Sequence, residues 1–462
     1  MNFQNKTVLA PMVRVTTLPM RLLALKFGAD YVYSEEIIDF KILRSARIIN
    51  DVLNTIDYVM DDGSIVFRTC EEEKGRVVFQ LATNDADRAL LVGKKIQNDV
   101  AAIDLNMGCP KGYSTKGGMG AAMLKTPENA CKILRNLSQN LSIPITCKIR
   151  ILPKIENTMN LVDGLADTGI AAITVHGRYP EERPKNLVHD DIIKQISERI
   201  GNRVVVIANG GSSDFIKTHD DIEYFKQCCA TKSAMIGRAA MWNPAIFSEP
   251  IEDVITPTEM IKRYLKYAVK YENHLSSTKY CVTQFLTETT ECPGFRETLN
   301  ATNLKEICEI WEEGDMYSRE MANRQQRQQQ LSLSAAAAIT SSKETPVKKI
   351  KLNEIEHRNG ETVQGTCKFN KRLYGKTGWS PKLALMQYCD KMKWEHPVFL
   401  LSQDETSKLF QCSITLNGIS YSNSIGDRNK RFVEQAISCI CLNELGLITQ
   451  DLIDKGLKIG SL

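Results

Sequence analysis

The sequence predicts a (β/α)₈ barrel of the TIM-barrel type, followed by a small helical domain and an α-β-β-β-α unit. Three observations lead to this fold class. Eight short apolar runs alternate with helical periodicity between residues 8 and 240, a helical pattern follows from about 256 to 320, and strand signals return after 361. Apolar strands that alternate with helices indicate a parallel sheet covered on its outer face, and eight such units match a closed barrel.

The barrel is predicted over residues 1–250. A doubly wound sheet is the alternative, but it usually has fewer strands and often a glycine-rich turn after the first, whereas the segment Pro11–Arg14 contains no glycine. Helical patterns such as Leu18–Phe27 and Pro127–Leu141 lie between the strands. The predicted strands are Val8–Val13, Tyr31–Glu36, Val77–Ala82, Ala101–Asn106, Ile145–Arg150, Ala171–His176, Val204–Asn209 and Ala234–Gly237.

Residues 256–320 are predicted to form a helical domain, because apolar residues of Thr258–Tyr271 fall on one helical face and no strand signal follows. Residues 321–360 are glutamine-rich and then alanine-rich, which predicts a flexible linker, partly helical at most. The basic run Lys348–Lys351 is interpreted as a solvated part of this linker, with a nuclear signal or an RNA-touching edge as alternatives.

Residues 361–447 are predicted to form a second globular unit, and 448–462 a tail. The turn Asn417-Gly418 is a strong hairpin signal between two of its strands. Residues 365–435 hold 11 Lys and Arg against 6 Asp and Glu, so this segment alone exceeds the net charge of +4 of the whole chain. The predicted elements are a helix over Pro381–Lys391, strands over Pro397–Leu401, Leu409–Leu416 and Ile419–Ser424, and a helix over Lys430–Asn443.

Composition excludes several classes of protein. The 14 cysteines lack paired spacing, no secretory pattern opens the chain, and no run of about 18 apolar residues exists. We therefore expect a reduced, cytoplasmic and monomeric protein with no metal site and no membrane partner, and a nuclear fraction if the linker run is a nuclear signal.

Catalysis in such barrels lies at the carboxyl ends of the strands. Glycines at the ends of strands 7 and 8 would let backbone N–H groups approach a phosphate, although a plain turn is the alternative for Gly210-Gly211. Lys148 would need an anionic partner, either a ligand or Glu36. His176 is interpreted as a ligand contact, with a core histidine as the alternative.

Cys109 follows the end of strand 4 in a loop, where a structural cysteine is unusual. A thiol there can act as a nucleophile or as a general acid. No histidine pairing typical of a cysteine hydrolase is visible, which favours proton donation.

The motifs at these strand ends are Ala10–Met12, Asp104–Pro110, Thr146–Arg150, Val175–Arg178 and Ala208–Gly211. Together and in this order they resemble the tRNA-dihydrouridine synthases. The segment Ser114–Gly120 and the C-terminal unit make the chain similar to the eukaryotic branch that modifies position 20.

The resemblance implies a mechanism. NADPH, with NADH as the alternative, reduces FMN, and hydride passes to C6 of a uridine flipped out of the tRNA. Cys109 then protonates C5 as the general acid, which yields 5,6-dihydrouridine. Asn106 would orient the base, and Arg150 and Arg178 would contact the substrate RNA. The FMN contacts implied by the motif match are Pro11, Met12, Val13, Glu36, Gln80, Lys148, His176, Asn209, Gly210, Gly211, Gly237 and Arg238.

The C-terminal unit resembles a double-stranded-RNA-binding domain, which reads A-form shape and phosphates. The loop Ser402–Lys408 lacks the Gly-Pro-x-His element usual there, so the flank Lys368–Tyr374 is expected to carry more of the contact. Two other hypotheses remain: a flavin oxidoreductase for a free small molecule, and a tRNA-binding scaffold without catalysis. The predicted phosphate contacts are Lys368, Lys371, Arg372, Lys382, Arg428, Lys430 and Arg431.

Overall fold

The computed structural model describes residues 1–60, 62–249, 255–286, 292–341, 362–367, 369, 380–405, 407–445 and 447. The chain forms two compact units, one of Met1–Val59 and Ile65–Ala337, the other of Met60–Ser64 and Ala338–Leu462.

The described residues of the first unit form eleven strands. In chain order they are β1 (Thr7–Leu9), β2 (Tyr31–Ile38), β3 (Ala46–Asn50), β4 (Thr55–Val59), β5 (Ile65–Cys70), β6 (Val77–Ala82), β7 (Ala102–Met107), β8 (Ile145–Arg150), β9 (Ala172–His176), β10 (Val205–Asn209) and β11 (Ser233–Ile236).

Eight of these strands close the predicted barrel in the order β1-β11-β10-β9-β8-β7-β6-β2, and all of its pairs are parallel. The interior is filled by apolar side chains such as Phe3, Val8, Tyr33 and Met235. β1 ends at Leu9, short of the predicted Val13, because Pro11 has no N–H with which to extend the ladder.

Fourteen α-helices lie in the described part of the same region. They are α1 (Leu18–Lys26), α2 (Asp39–Arg44), α3 (Ala86–Ile96), α4 (Gly112–Thr115), α5 (Pro127–Asn140), α6 (Ile155–Ala166), α7 (Asp190–Ile200), α8 (Asp220–Cys228), α9 (Arg238–Trp242), α10 (Pro257–Lys270), α11 (Leu275–Phe285), α12 (Pro293–Asn300), α13 (Leu304–Ile310) and α14 (Gly314–Ser341).

Local chemistry determines where the helices begin. Asp85 accepts a hydrogen bond from the backbone N–H of Arg88 at the start of α3. Thr256 does the same for Glu259 at the start of α10, where Pro257 occupies the first helical position. The apolar faces of these helices pack on the outer surface of the barrel and form its main core. None of the helices in the described residues is long and apolar enough to cross a membrane.

Between β2 and β6 in the sequence, the chain forms a separate three-stranded antiparallel sheet in the order β3-β4-β5. This sheet was not predicted from the sequence. Arg68 of β5 forms an ion pair with Asp57 of β4 at 2.6 Å, and its other nitrogen donates to the carbonyl of Tyr271. The sheet is therefore held to the helical segment by a residue that the sequence pattern left unassigned.

The helix α14 occupies the first part of the predicted linker, which was expected to be partly helical at most. It runs from Gly314 to Ser341, through the boundary predicted at 320 and across the first half of residues 321–360. Arg324 binds the Glu272 carboxylate and the Val269 carbonyl, each at 2.6 Å, which fixes the helix to the end of α10. The rest of the predicted linker, including Lys348–Lys351, lies outside the described residues.

The second unit has the predicted α-β-β-β-α order. Asn417 and Gly418 both have positive φ, 46° and 78°, which confirms the hairpin turn. A fourth strand, parallel to the last one, was not predicted, and the tail 448–462 lies outside the described residues. The elements are β12 (Thr362–Gly365), α15 (Pro381–Met392), β13 (Leu400–Gln403), β14 (Phe410–Leu416), β15 (Ile419–Asn423) and α16 (Lys430–Glu444), with sheet order β12-β15-β14-β13.

Candidate active site

A cavity of about 370 Å³ opens at the carboxyl ends of the barrel strands. It brings together most of the site residues predicted from separate strands, and it adds Ala10, Gly108, Pro110, Lys111, Tyr113 and Ser212. The predicted residues that line it are Pro11, Met12, Val13, Glu36, Gln80, Asn106, Cys109, Lys148, Arg150, His176, Asn209, Gly210, Gly237 and Arg238.

Two polar atoms in this cavity wall are buried and lack a hydrogen-bond partner among the described residues. They are Oε1 of Glu36 and Nδ1 of His176. Burial and the nearby charge of Lys148 hold the pKa of His176 well below its usual value, so its ring is neutral. Buried polar atoms without partners are rare in native structures, which indicates that a ligand or ordered water meets them.

Lys148 forms no ion pair within the described part of the chain, so the alternative of a salt bridge to Glu36 is not seen. Burial and the neighbouring Arg150 lower the pKa of Lys148 to about 7. An anionic or strongly accepting ligand would stabilise its charged form.

Gly210 is required by the backbone at the end of β10. Its φ is +121°, and an added Cβ would lie 2.8 Å from Val188 Cγ2 and 3.4 Å from His176 Nδ1. Gly211 does not line the cavity, because it packs against the Phe225 ring, which an added Cβ would meet at 3.0 Å. Its predicted contact with a ligand stays a prediction.

Arg178 is also not placed for its predicted contact with RNA. It is 1% exposed, and its guanidinium donates to the carbonyls of Asn186 and Gly210, each at 2.7 Å, and to the Asp214 carboxylate at 2.6 Å. Its donors bind the loops that follow β9 and β10, so it stabilises the wall of the cavity without facing it.

Asn106 fixes the backbone that presents Cys109. Its Oδ1 accepts hydrogen bonds from the N–H groups of Gly108, at 3.0 Å, and Cys109, at 3.1 Å. Arg150 supports the same loop by donating to the Gly108 carbonyl at 3.0 Å. Burial, with a smaller effect of Arg178, lowers the pKa of Arg150 to about 10, so it remains a cation at neutral pH.

The Cys109 thiol lies 3.6 Å from the hydroxyl of Tyr113, which stands on α4. Burial and the Glu36 carboxylate raise the pKa of Cys109. A thiol with a raised pKa keeps its proton at neutral pH, which suits a general acid better than a nucleophile. Tyr113 was not singled out from the sequence, although its position four residues after Cys109 was the available signal.

A buried row of polar residues lies beneath the cavity. Gln80 donates from Nε2 to Asp104 at 2.8 Å, and Thr146 donates to the same carboxylate at 2.7 Å. Asn209 donates to the Met235 carbonyl at 2.7 Å, which ties β10 to β11. Asp104 was quoted only as part of a motif and was not predicted to act at the site.

The basic residues of the second unit differ in their availability. Arg428, Lys430 and Arg431 are exposed at the start of α16, whereas Lys382 is paired with Glu434 at 2.8 Å and lies over the Phe399 ring. The positive charge of Lys382, which was predicted to contact a phosphate, is thus partly neutralised by Glu434. Three others, Lys368, Lys371 and Arg372, lie outside the described residues.

A hydrogen bond within the loop after β13 stabilises its turn: the Asp404 carboxylate accepts it from the backbone N–H of Ser407 at 2.6 Å. No group of three or more potential ligands within the described residues could hold a metal ion.

Comparison with known proteins decides the family. The dihydrouridine synthase (Dus) family model matches residues 8–343. The chain belongs to the dihydrouridine synthase family. It is an oxidoreductase of that family, and the double-stranded RNA binding motif model matches residues 381–445.

Two yeast proteins are similar to this chain. The tRNA-dihydrouridine(20) synthase [NAD(P)+] of Saccharomyces cerevisiae is 37% identical over 300 residues, which are 62% of this chain and 78% of that protein. The protein of the same name from Schizosaccharomyces pombe is 36% identical over 295 residues, 62% of this chain and 60% of that protein. A crystal structure of a tRNA-dihydrouridine(20) synthase double-stranded-RNA-binding domain is 29% identical, covers 19% of this chain and 92% of its own, and has a TM-score of 0.18.

Proposed function

We propose that this dihydrouridine synthase reduces the C5–C6 double bond of a tRNA uridine, at position 20 of the D-loop, with bound FMN and with NADPH or NADH as reductant. The observation that carries the proposal is one cavity that holds a thiol, a lysine with no ion pair among the described residues and a glycine-built backbone turn. The position and the nicotinamide reductant rest on the names of the two yeast relatives.

The residues present fit FMN. A phosphate suits the corner formed by Gly210, Gly237 and Arg238, where the backbone can approach closely and a cation is at hand. A flat ring with accepting and donating edges suits the unpartnered Nδ1 of His176 and the ammonium of Lys148. Once reduced, bound FMN would supply the hydride for C6 of the uridine.

The protein's own groups would complete the reaction. Cys109 would donate its proton to C5, because Asn106 holds its backbone toward the cavity and its raised pKa keeps the thiol protonated until carbon accepts the proton. Lys148 would remain charged beside an anionic ligand. We keep Asn106 and Arg150 as proposed contacts for the flipped base, and Pro11–Val13, Glu36, Gln80 and Asn209 as proposed walls of the cofactor site.

The second unit would add affinity for the folded tRNA through phosphate contacts, with Arg428, Lys430 and Arg431 as the exposed basic group. Such domains recognise the shape of A-form RNA, which leaves the choice of uridine to the barrel. We propose a monomer in the cytoplasm, a compartment that fits 14 cysteines without a disulfide.

The test is dihydrouridine mapping on tRNA from cells that lack this protein, rescued with the wild type or with Cys109→Ala. We expect dihydrouridine to vanish at position 20 and to return only with the wild type. Unchanged dihydrouridine at every position, together with yellow purified protein, would instead favour a flavin oxidoreductase for a free small molecule. Colourless protein that binds tRNA would favour a scaffold without catalysis.

A further inference from the structure

A buried carboxylate occupies the centre of the polar row beneath the cavity. Asp104 lies on β7, directly opposite Gln80 on β6 and Thr146 on β8 in the strand register. It is 0% exposed, and each of its oxygens accepts one hydrogen bond, from Gln80 Nε2 at 2.8 Å and from Thr146 Oγ1 at 2.7 Å. The three side chains therefore form one hydrogen-bonded row across three strands.

An ionised carboxylate accepts hydrogen bonds and donates none. Burial raises the pKa of Asp104 to about 6, while the bonds from Gln80 and Thr146 and the charge of Lys148 oppose the rise. Asp104 is thus ionised at neutral pH, and the amide nitrogen of Gln80 must be the atom that faces it.

The other end of the same amide has a different environment. Gln80 lines the cavity, and its Oε1 meets no hydrogen-bond donor among the described residues. Its backbone N–H donates to the Ser34 hydroxyl at 2.9 Å, so the residue is fixed at both its backbone and its side-chain nitrogen. The carbonyl oxygen is left as an acceptor for a ligand.

We propose that Asp104 is a positioning residue, which fixes the Gln80 amide so that its carbonyl oxygen accepts an N–H from the bound cofactor. The inference rests on the proposed FMN site, because the oxidised isoalloxazine carries a single ring N–H, at N3. Asp104 would also supply the buried negative charge that stabilises protonated Lys148 across the adjacent strand.

The experiment uses the full-length protein loaded with FMN. Asp104→Asn keeps the size of the side chain but removes its charge and its fixed acceptor role. Thr146→Val is the matched control, since it removes one hydrogen bond to the same carboxyl and leaves the charge and the Gln80 contact in place. FMN affinity is measured by quenching of flavin fluorescence, and deprotonation of flavin N3–H is followed by absorbance as the pH is raised.

We expect Asp104→Asn to weaken FMN binding roughly 10- to 100-fold and Thr146→Val by less than about threefold, because Asp104→Asn removes the buried charge that fixes Gln80 whereas Thr146→Val keeps that charge and its bond to Gln80. We also expect the pH at the midpoint of N3–H deprotonation to fall in Asp104→Asn alone. A nearby anion and a hydrogen-bond acceptor at N3 both oppose loss of this proton, and the variant removes the anion and loosens the acceptor. A merely structural role would leave that midpoint unchanged.

An unshifted N3–H midpoint in FMN-loaded Asp104→Asn would overturn the inference, as would equal effects of the two variants. If Asp104→Asn unfolds, Gln80→Met replaces it, because it removes the accepting amide and should lower the same midpoint; an unshifted midpoint there overturns the inference too. Failure of the wild type to bind FMN would instead refute the proposed function.

Discussion

Replacing Gly210 by alanine tests whether the backbone at the end of β10 must approach an anionic group of the cofactor. Gly210 has a φ of +121°, which an L-residue rarely adopts, and the new Cβ would lie 2.8 Å from Val188 Cγ2. The substitution adds one methyl group and no charge. Its effect therefore reports on the shape of the turn.

The expected magnitude follows from two costs. Holding alanine at this φ costs about 1–3 kcal/mol, and forcing a methyl group into a packed site costs about 1–3 kcal/mol more. The turn can relax only by moving away from Val188, which displaces the N–H groups at the cavity. Part of this cost destabilises the fold with or without FMN. We expect about 1.4–2.8 kcal/mol of it to appear as weaker FMN binding, which is about 10- to 100-fold in affinity.

The assay is titration of the apoprotein with FMN, with thermal unfolding measured in parallel. Gly75→Ala is the matched control: Gly75 has a φ of +75°, but nothing lies within 4 Å of its added Cβ, and it precedes β6 at the end of the barrel away from the cavity. It should lose about 1 kcal/mol of stability and keep its FMN affinity. Adding Val188→Ala to Gly210→Ala should recover part of the affinity by removing the close contact.

The reasoning would be refuted if Gly210→Ala bound FMN within twofold of the wild type. It would also be refuted if Gly75→Ala weakened FMN as much, because the loss would then come from general destabilisation.

Three further predictions follow from the site and from the second unit. Cys109→Ala should keep FMN and tRNA affinity but slow dihydrouridine formation by about 10²- to 10⁴-fold in single-turnover assays, and normal rates would exclude the general acid. FMN affinity should fall as the pH rises through about 7, because Lys148 then loses its charge in the empty site. The Lys148→Met variant should bind FMN weakly and without this pH dependence. FMN titration at several pH values measures both effects. Removing residues 361–462 should weaken tRNA binding and flatten its dependence on salt while NADPH oxidation persists, and an unchanged salt slope in filter-binding assays would contradict a phosphate-binding role.

The barrel and most of the cavity were predictable from the sequence, because both depend on position along the chain. Each strand is a short apolar run, and polar residues at its carboxyl end must converge once the sheet closes. Cys109, Lys148 and Gly210 were found in this way, from unrelated segments. The sequence also marked Asn417-Gly418, since that dipeptide favours the backbone of a tight hairpin.

Other features depend on partners that the local pattern does not contain. Arg178 and Gly211 stand in a motif at a strand end, but one turns toward Asp214 and the other toward Phe225. The role of Asp104 required knowing that Gln80 and Thr146 lie beside it in register. The strands β3 to β5 were missed because the expected βα alternation left no place for an inserted antiparallel sheet.

The extent of α14 could not be fixed from the sequence for a related reason. Its glutamine-rich sequence has weak amphipathic character, so composition suggested a linker. The contact of Arg324 with Glu272 and the Val269 carbonyl is tertiary, and it stabilises a helix that local propensity alone leaves undecided.

The closure of the barrel has a consequence for biosynthesis. β1 pairs with β11, and the Ala10 N–H donates to the Ile236 carbonyl at 2.8 Å, so the first and last strands form one wall. The cavity is lined on that side by Pro11–Val13 from the beginning of the chain and by Gly237-Arg238 from more than 220 residues later. A nascent chain cannot assemble this pocket until the final strand has left the ribosome, so we expect cofactor loading to follow translation of the whole barrel.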